Sequence, residues 1–159
     1  SRPVMIRMPV GGYEESPYAV RTDYSDLNKY EIVTEGADVA IIGAGNFASL
    51  ASEAAAELAK EGIRATVVNP IFLSGLDTAL LDALKEKHHL VLTLEDGILE
   101  GGFGQKIASY YGTDEGLRVR NYGLSKEFHD RYRASELARA HHLTAEQIEE
   151  TIAQIYKGK

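Results

Sequence analysis

From Val39 onward the chain alternates short apolar runs with amphipathic stretches, and that alternation limits the possible folds more than any other feature. The runs are Val39-Ala40-Ile41-Ile42, Ala65-Thr66-Val67-Val68, Leu90 to Leu94 and Leu117 to Asn121. Near-continuous apolar character suits strands covered on both faces, as in a parallel sheet. The segments between them carry helical spacing. Phe47, Leu50, Ala54 and Leu58 mark a helix over 46–60, which Gly62 stops. Ser74-Gly75-Leu76-Asp77 fits a capping box opening a second helix, with Leu80, Leu81 and Leu84 on one face. A third helix follows Gly101-Gly102-Phe103-Gly104 and aligns Phe103, Ile107 and Tyr110. Two more are read over 135–141 and 144–156. The last opens on a capping box of Thr144 and Gln147 and buries Ile148, Ile152 and Ile155. Strands joined through helices cross over right-handed and stay parallel. Glu31-Ile32-Val33 adds a short strand, and the brief turn at 35–38 favours an antiparallel hairpin with Val39–Ile42. The expected architecture is α/β: a three-layer α/β/α domain over residues 30–159, with a mostly parallel five-stranded sheet and one antiparallel edge strand.

The first 29 residues do not share this pattern. Val4 to Met8 alternates apolar and basic residues and reads as a strand. A strand at an extreme terminus still needs partners for its backbone groups, so residues 1–10 read as a terminal strand left from a preceding domain, and an ordinary N-terminal edge strand fits the same pattern. Residues 11–29 are polar and without period. Structureless stretches of that length are uncommon inside a compact domain, and this one reads as an interdomain linker.

Composition removes several classes of function. The 159 residues contain no cysteine, so disulfides and thiolate chemistry are excluded, and a reducing, cytoplasmic setting is expected. The net charge of -7 disfavours nucleic acid, whose phosphates call for a basic face. No apolar run reaches the roughly 18 residues of a membrane span.

Two turns carry candidate chemistry. Gly43-Ala44-Gly45-Asn46-Phe47-Ala48 follows a strand and opens a helix, matching the G-x-G-x-x-A dinucleotide fingerprint. That fingerprint asks for an acidic residue at the end of the next strand, where this chain has Asn69-Pro70. Arg64, at the wrong end of that strand, cannot replace it. A tight strand-to-helix turn accounts for the same glycines. The second turn is Glu95-Asp96-Gly97, followed by Glu100-Gly101-Gly102-Phe103-Gly104. It lies at the carboxyl end of a strand, where open α/β sheets bind ligands and partners. Its acidic residues oppose an anion. Glu95 bonded to local backbone and a ligand or partner contact both fit. The neighbouring pairs His88-His89 and His141-His142 lack the spacing of a metal site on one helical face, so no metal ligands are assigned. His88-His89 suits a helix end. Arg118, Arg120, Lys126, Arg131 and Arg133 form one basic stretch, read as a solvated face or a contact for an acidic partner or phosphate.

Taken in order, these blocks resemble a known family. Pro3 to Gly11 resembles the end of the pyrimidine-binding domain of thiamine-diphosphate enzymes of the transketolase group. Asp38 to Gly45 is similar to the first core strand and turn of their C-terminal domain, and Ala65 to Asp77 to the second strand and the segment after it. Leu92-Thr93-Leu94-Glu95-Asp96 with Gly101-Gly102-Phe103-Gly104 resembles the family's VEE…GGFG block. Gly123 to Phe128, then Leu143 to Ile148, resembles the ending of 1-deoxy-D-xylulose-5-phosphate synthases.

The resemblance implies a C-terminal domain that supports dimer assembly, works with the preceding domains of one enzyme and borders the substrate channel. Thiamine diphosphate and magnesium would sit between those other domains, leaving no catalytic or cofactor ligands in this one. The implied chemistry is two-carbon ketol or acyl transfer, inactive in this piece alone. The implied channel or partner residues are Arg7, Glu95, Asp96, Gly101, Gly102, Phe103 and Gly104. Four positions depart from the family's usual residues: Val10 and Ile71 for arginine, Gly75 and Ser125 for proline. Loss of a basic residue beside the channel removes a charge-assisted donor for a phosphorylated substrate. Two other readings stay open, a free-standing dinucleotide-binding module and a non-catalytic interaction domain.

Overall fold

The structure is a computed structural model that describes residues 3–6, 22–130 and 132–157. Its elements follow the order β1 (Glu31–Thr34), β2 (Val39–Gly43), α1 (Phe47–Lys60), β3 (Ala65–Asn69), α2 (Thr78–Lys87), β4 (Leu90–Ile98), α3 (Phe103–Tyr110), β5 (Arg118–Leu124), α4 (Ala134–Ala140) and α5 (Ala145–Lys157). The strands form one five-stranded sheet in the order β1-β3-β2-β4-β5, parallel except for β1. The expected three-layer α/β/α architecture is present. On one face Val39, Ile41, Val67, Leu92 and Leu94 pack against Ala54 and Leu58 of α1 and Ile148 and Ile152 of α5. On the other, Ala40, Ile42, Val68 and Val91 meet Leu81 and Leu84 of α2 and Phe103 and Ile107 of α3. Both faces of β2 are buried because both sides carry helices, which is why its sequence is apolar without alternation.

The edge strand is antiparallel as expected, but the hairpin with β2 does not form. β1 pairs with β3 instead, Glu31 opposite Asn69 and Ile32 opposite Val68. β2 sits at the centre of the sheet with β3 and β4 on its two edges, which leaves β1 no place beside it. The turn at 35–38 therefore crosses under the start of β3. Ala37 and Asp38 donate their N–H groups to the Arg64 carbonyl, at 3.2 and 2.9 Å. Gly36 makes the crossing close: a Cβ there would stand 2.4 Å from the Ala65 carbonyl carbon.

The capping expectations hold only in part. The cap of α2 is Asp77 rather than Ser74. One Asp77 oxygen accepts from Leu80 N at 3.2 Å, and the other from Tyr30 N at 3.1 Å. A buried carboxylate that satisfies two backbone donors outcompetes an exposed serine hydroxyl. At α5, Thr144 Oγ1 accepts from Gln147 N at 3.3 Å. The reciprocal half of that box is missing, because Gln147 Nε2 donates to the Arg139 carbonyl instead. His88 does end α2, with its ring between the Leu84 carbonyl and Thr66 Oγ1, each 2.9 Å away.

Of the terminal strand expected at Val4–Met8, residues 3–6 adopt no strand, and Val4, Met5 and Ile6 stand exposed. Among the described residues, no strand of the sheet pairs with them. Arg7 and Met8 lie outside the described residues, as do linker residues 11–21. Residues 22–29 form no helix or strand and lead into Tyr30, which packs beneath α3. Among the described residues no helix is long and apolar enough to cross a membrane.

Burial pushes the Tyr30 phenol up to about 12, with the negative charge of Asp77 adding to the rise, and burial raises Tyr111 as well. Both hydroxyls donate to backbone carbonyls, Tyr30 to Gly75 and Tyr111 to Leu81. A tyrosine released by unfolding loses its proton near pH 10, whereas these hold theirs longer. Their contribution is therefore complete below about pH 10 and is lost progressively above it, that of Tyr30 as pH rises through about 12. Urea midpoints should be level from pH 8 to pH 9.5 and fall by pH 11, and Tyr111→Phe should flatten that fall.

Candidate functional site

The sequence points to the carboxyl ends of β2, β3 and β4, and the turns there are built for different purposes. At the end of β4, Glu95 is buried under the start of α3. Its two carboxylate oxygens accept from Phe103 N at 2.8 Å and Gly104 N at 3.0 Å. A helix N-terminus presents unpaired N–H groups and a partial positive charge, the usual ingredients of an anion site. Here the protein fills that site with its own carboxylate. The glycines around Glu95 explain themselves sterically. A Cβ on Gly102 would lie 2.6 Å from both Glu95 oxygens, and one on Gly104 would lie 2.4 Å from Thr93 Oγ1. Thr93 in turn donates to Asn121 Oδ1 on β5 at 2.8 Å. α3 is thereby pressed onto the sheet between β4 and β5. Phe103 is buried and meets the Tyr30 ring edge-on, with centroids 6.2 Å apart.

Of the seven residues singled out from sequence, the structure brings Glu95, Gly102, Phe103 and Gly104 into one packed unit. Asp96 and Gly101 face solvent at its rim, Gly101 with φ 76°. Arg7 lies outside the described residues. Glu100 is also exposed and pairs with Lys126 at 3.4 Å. Beside the turn, a shallow depression is lined by Leu76, Gly101, Gly102, Gln105, Lys106 and Tyr110. The Lys106 ammonium is engaged with the Leu73 carbonyl at 3.0 Å.

The turn between β2 and α1 fits packing rather than a nucleotide. A Cβ on Gly43 would lie 2.3 Å from the Phe47 carbonyl oxygen, so the helix sits directly against the strand end. Ala44 N donates to the Leu94 carbonyl at 2.8 Å, tying the turn to β4. At the end of β3, Asn69 Oδ1 accepts from Ile71 N at 3.2 Å. That side chain props the loop in which Ile71 adopts φ 55°, where a dinucleotide site would need a carboxylate for ribose. The described part of the basic stretch is dispersed: Arg118 and Arg120 project from the exposed edge strand β5, and Lys126 is paired. Charge on an open edge also discourages pairing with another sheet.

One cluster escapes sequence reasoning. His129 and His141, twelve positions apart, meet each other and Glu127. Reading the histidines as neighbouring pairs could not find it, because a loop and a helix bring them together.

The comparisons with known proteins agree with this architecture. The family model described as "Transketolase, C-terminal domain" matches residues 28–148. A 1-deoxy-D-xylulose-5-phosphate synthase of Carboxydothermus hydrogenoformans is 34% identical over 152 residues, covering 93% of this chain and 24% of the relative. The synthase of Pseudoalteromonas translucida is 36% identical over 127 residues, covering 79% of this chain and 20% of that protein. The chain thus spans about a quarter of the length of these relatives. A solved structure titled "Split gene transketolase, inactive beta4 tetramer" superposes with a TM-score of 0.78 at 26% identity, over 90% of this chain and 46% of that one. With the ordered sequence blocks, the antiparallel edge strand and a family match across most of its length, the chain belongs to the transketolase C-terminal domain family, of the kind found in 1-deoxy-D-xylulose-5-phosphate synthases.

Proposed function

We propose that the chain is the C-terminal domain of a thiamine-diphosphate-dependent, cytoplasmic two-carbon transferase of the 1-deoxy-D-xylulose-5-phosphate synthase or transketolase type. The observation that carries this reading is the family-model match over residues 28–148, together with a synthase about four times as long that is 34% identical over 93% of this chain. In it the domain braces a homodimer, contacts the preceding domains, borders the substrate channel and does not turn over alone. The split-gene relative, whose title names an inactive tetramer of one subunit type, supports self-association without activity. Residues 1–10 and 11–29 are then the end of the preceding domain and the linker.

The cofactor belongs to the parent enzyme, and the residues here do not fit its diphosphate. The N-terminus of α3 is taken by Glu95, and the Gly43 turn is filled by the backbone of α1. No reaction step is therefore assigned to these side chains. Their part is mechanical. Glu95, Gly102, Phe103 and Gly104 hold the β4–α3 turn rigid, so that Asp96 and Gly101 meet a partner domain or the channel in a fixed position. Rigid positioning is how a protein serves chemistry supplied by a cofactor.

A chimera tests this. The C-terminal quarter of the Carboxydothermus synthase is replaced by this chain, and consumption of pyruvate with an aldehyde acceptor is followed with thiamine diphosphate and magnesium. Turnover is expected from the chimera and none from this chain alone. Turnover by the isolated chain, or a folded dimeric chimera without activity, overturns the reading.

A further inference from the structure

We propose that Glu127, His129 and His141 form a binding site for one divalent transition-metal ion of the zinc class. The three side chains come from two places. Glu127 and His129 lie on the loop that leaves β5, and His141 ends α4. One ligand atom from each lies within 4.8 Å of the others. His129 Nδ1 is 3.9 Å from Glu127 Oε1, and the two imidazole rings meet edge-on with centroids 5.1 Å apart. Two imidazoles and a carboxylate suit zinc and its first-row neighbours, whereas magnesium and calcium take oxygen ligands.

The surroundings orient these ligands as an outer shell does. His129 Nε2 lies 2.8 Å from the Ser125 carbonyl. A carbonyl can only accept, so in the neutral ring Nε2 carries the hydrogen. Nδ1, which faces Glu127, then holds the lone pair a metal requires. The Ser125 hydroxyl donates to Glu127 Oε1 at 2.6 Å and steadies the carboxylate. Ser125 thus supports two of the three ligands, one through its backbone and one through its side chain.

The remaining adjustment is small. Ligand atoms about 2.0–2.1 Å from a tetrahedral ion lie roughly 3.3 Å from one another, so the cluster closes by about 1.5 Å at most. Glu127 is exposed and both histidines are half-buried, so side-chain rotation suffices. Three protein ligands leave a fourth position for water or an external donor. Bound metal would staple the loop after β5 to α4, a helix of seven residues with none buried. A helix so lightly anchored gains most from an added cross-link.

The test titrates the tag-free full chain with zinc by calorimetry and with cobalt by visible absorption. One zinc per chain is expected, undisturbed by excess magnesium, together with the ligand-field bands of a low-coordinate cobalt site. His129→Ala and His141→Ala should each weaken zinc binding more than about 100-fold, beyond the roughly 10- to 100-fold effect of an outer-shell change such as Ser125→Ala. His89→Ala and His142→Ala should bind like the parent chain. Metal-free circular dichroism checks that each variant folds, and Glu127→Gln, on an exposed side chain, carries the same expectation should His141→Ala unfold. Absence of zinc binding overturns the proposal. So does binding that survives in the His129→Ala/His141→Ala double variant or is lost with His142.

Discussion

Glu95→Ala should destabilise the domain by about 3 kcal/mol, because it leaves two buried N–H groups without acceptors at roughly 1–3 kcal/mol each. For a chain of this size, that corresponds to a melting temperature lower by roughly 6–12 °C. The loss has three sources. The Phe103 and Gly104 amides lose their partner, and at 2.8 and 3.0 Å those bonds are well formed. The positive end of α3 loses the negative charge that complements it. The packing around the side chain also opens, since Gly102 and Gly123 both sit against Glu95. Glu95→Gln separates these effects. It preserves volume and one acceptor oxygen but turns an amide group toward a backbone donor, and should lose about half as much. Differential scanning calorimetry of the three proteins gives the comparison. A Glu95→Ala protein as stable as the parent would show that water replaces the carboxylate at no cost, and the rigid turn proposed for the channel border would lose its basis.

The second large effect separates two uses of the same glycines. Gly43→Ala should lose about 3 kcal/mol or more, since overpacked sites with no slack typically cost 1–3 kcal/mol and backbone neighbours cannot rotate away. The new Cβ would meet the Phe47 carbonyl oxygen at 2.3 Å and the Ala48 Cα at 2.9 Å, so either α1 or the end of β2 must move. Gly45→Ala should be far milder. Gly45 has φ 60° and open space around it, so the cost is the roughly 1–2 kcal/mol of a left-handed residue. A dinucleotide site would instead make both glycines matter for binding, and NAD would raise the melting temperature. The packing account expects a large Gly43 effect, a small Gly45 effect and no shift with NAD.

Much of this architecture was legible in the residues. Leu58 and Ala54 on one helix, Leu81 and Leu84 on another, and the unbroken apolar run of β2 each announce their buried faces over a few residues. The order of strands and helices follows, and with it the parallel sheet. The caps were harder to read. Ser74 and Asp77 both have capping chemistry, and the choice fell to Asp77 because Tyr30, 47 positions away, offers a second donor to the same carboxylate. Glu95 belongs with them: its type and place were visible, but its role depends on α3 folding back over it.

Local periodicity tells a segment which face it must hide, and that information survives in any short window of the chain. Partnership does not, because it is settled by competition among groups distant in sequence. β1 was expected beside β2 on the strength of a short turn, yet β2 is claimed on both edges by parallel neighbours, and β1 takes the open side of β3. His129 and His141 carry no signal in their spacing, and they meet because the loop after β5 comes against the end of α4. The residues alone settled which elements form and which sides are apolar. Which edge, carboxylate or histidine found which partner was settled by where burial and hydrogen bonding could be satisfied together in three dimensions.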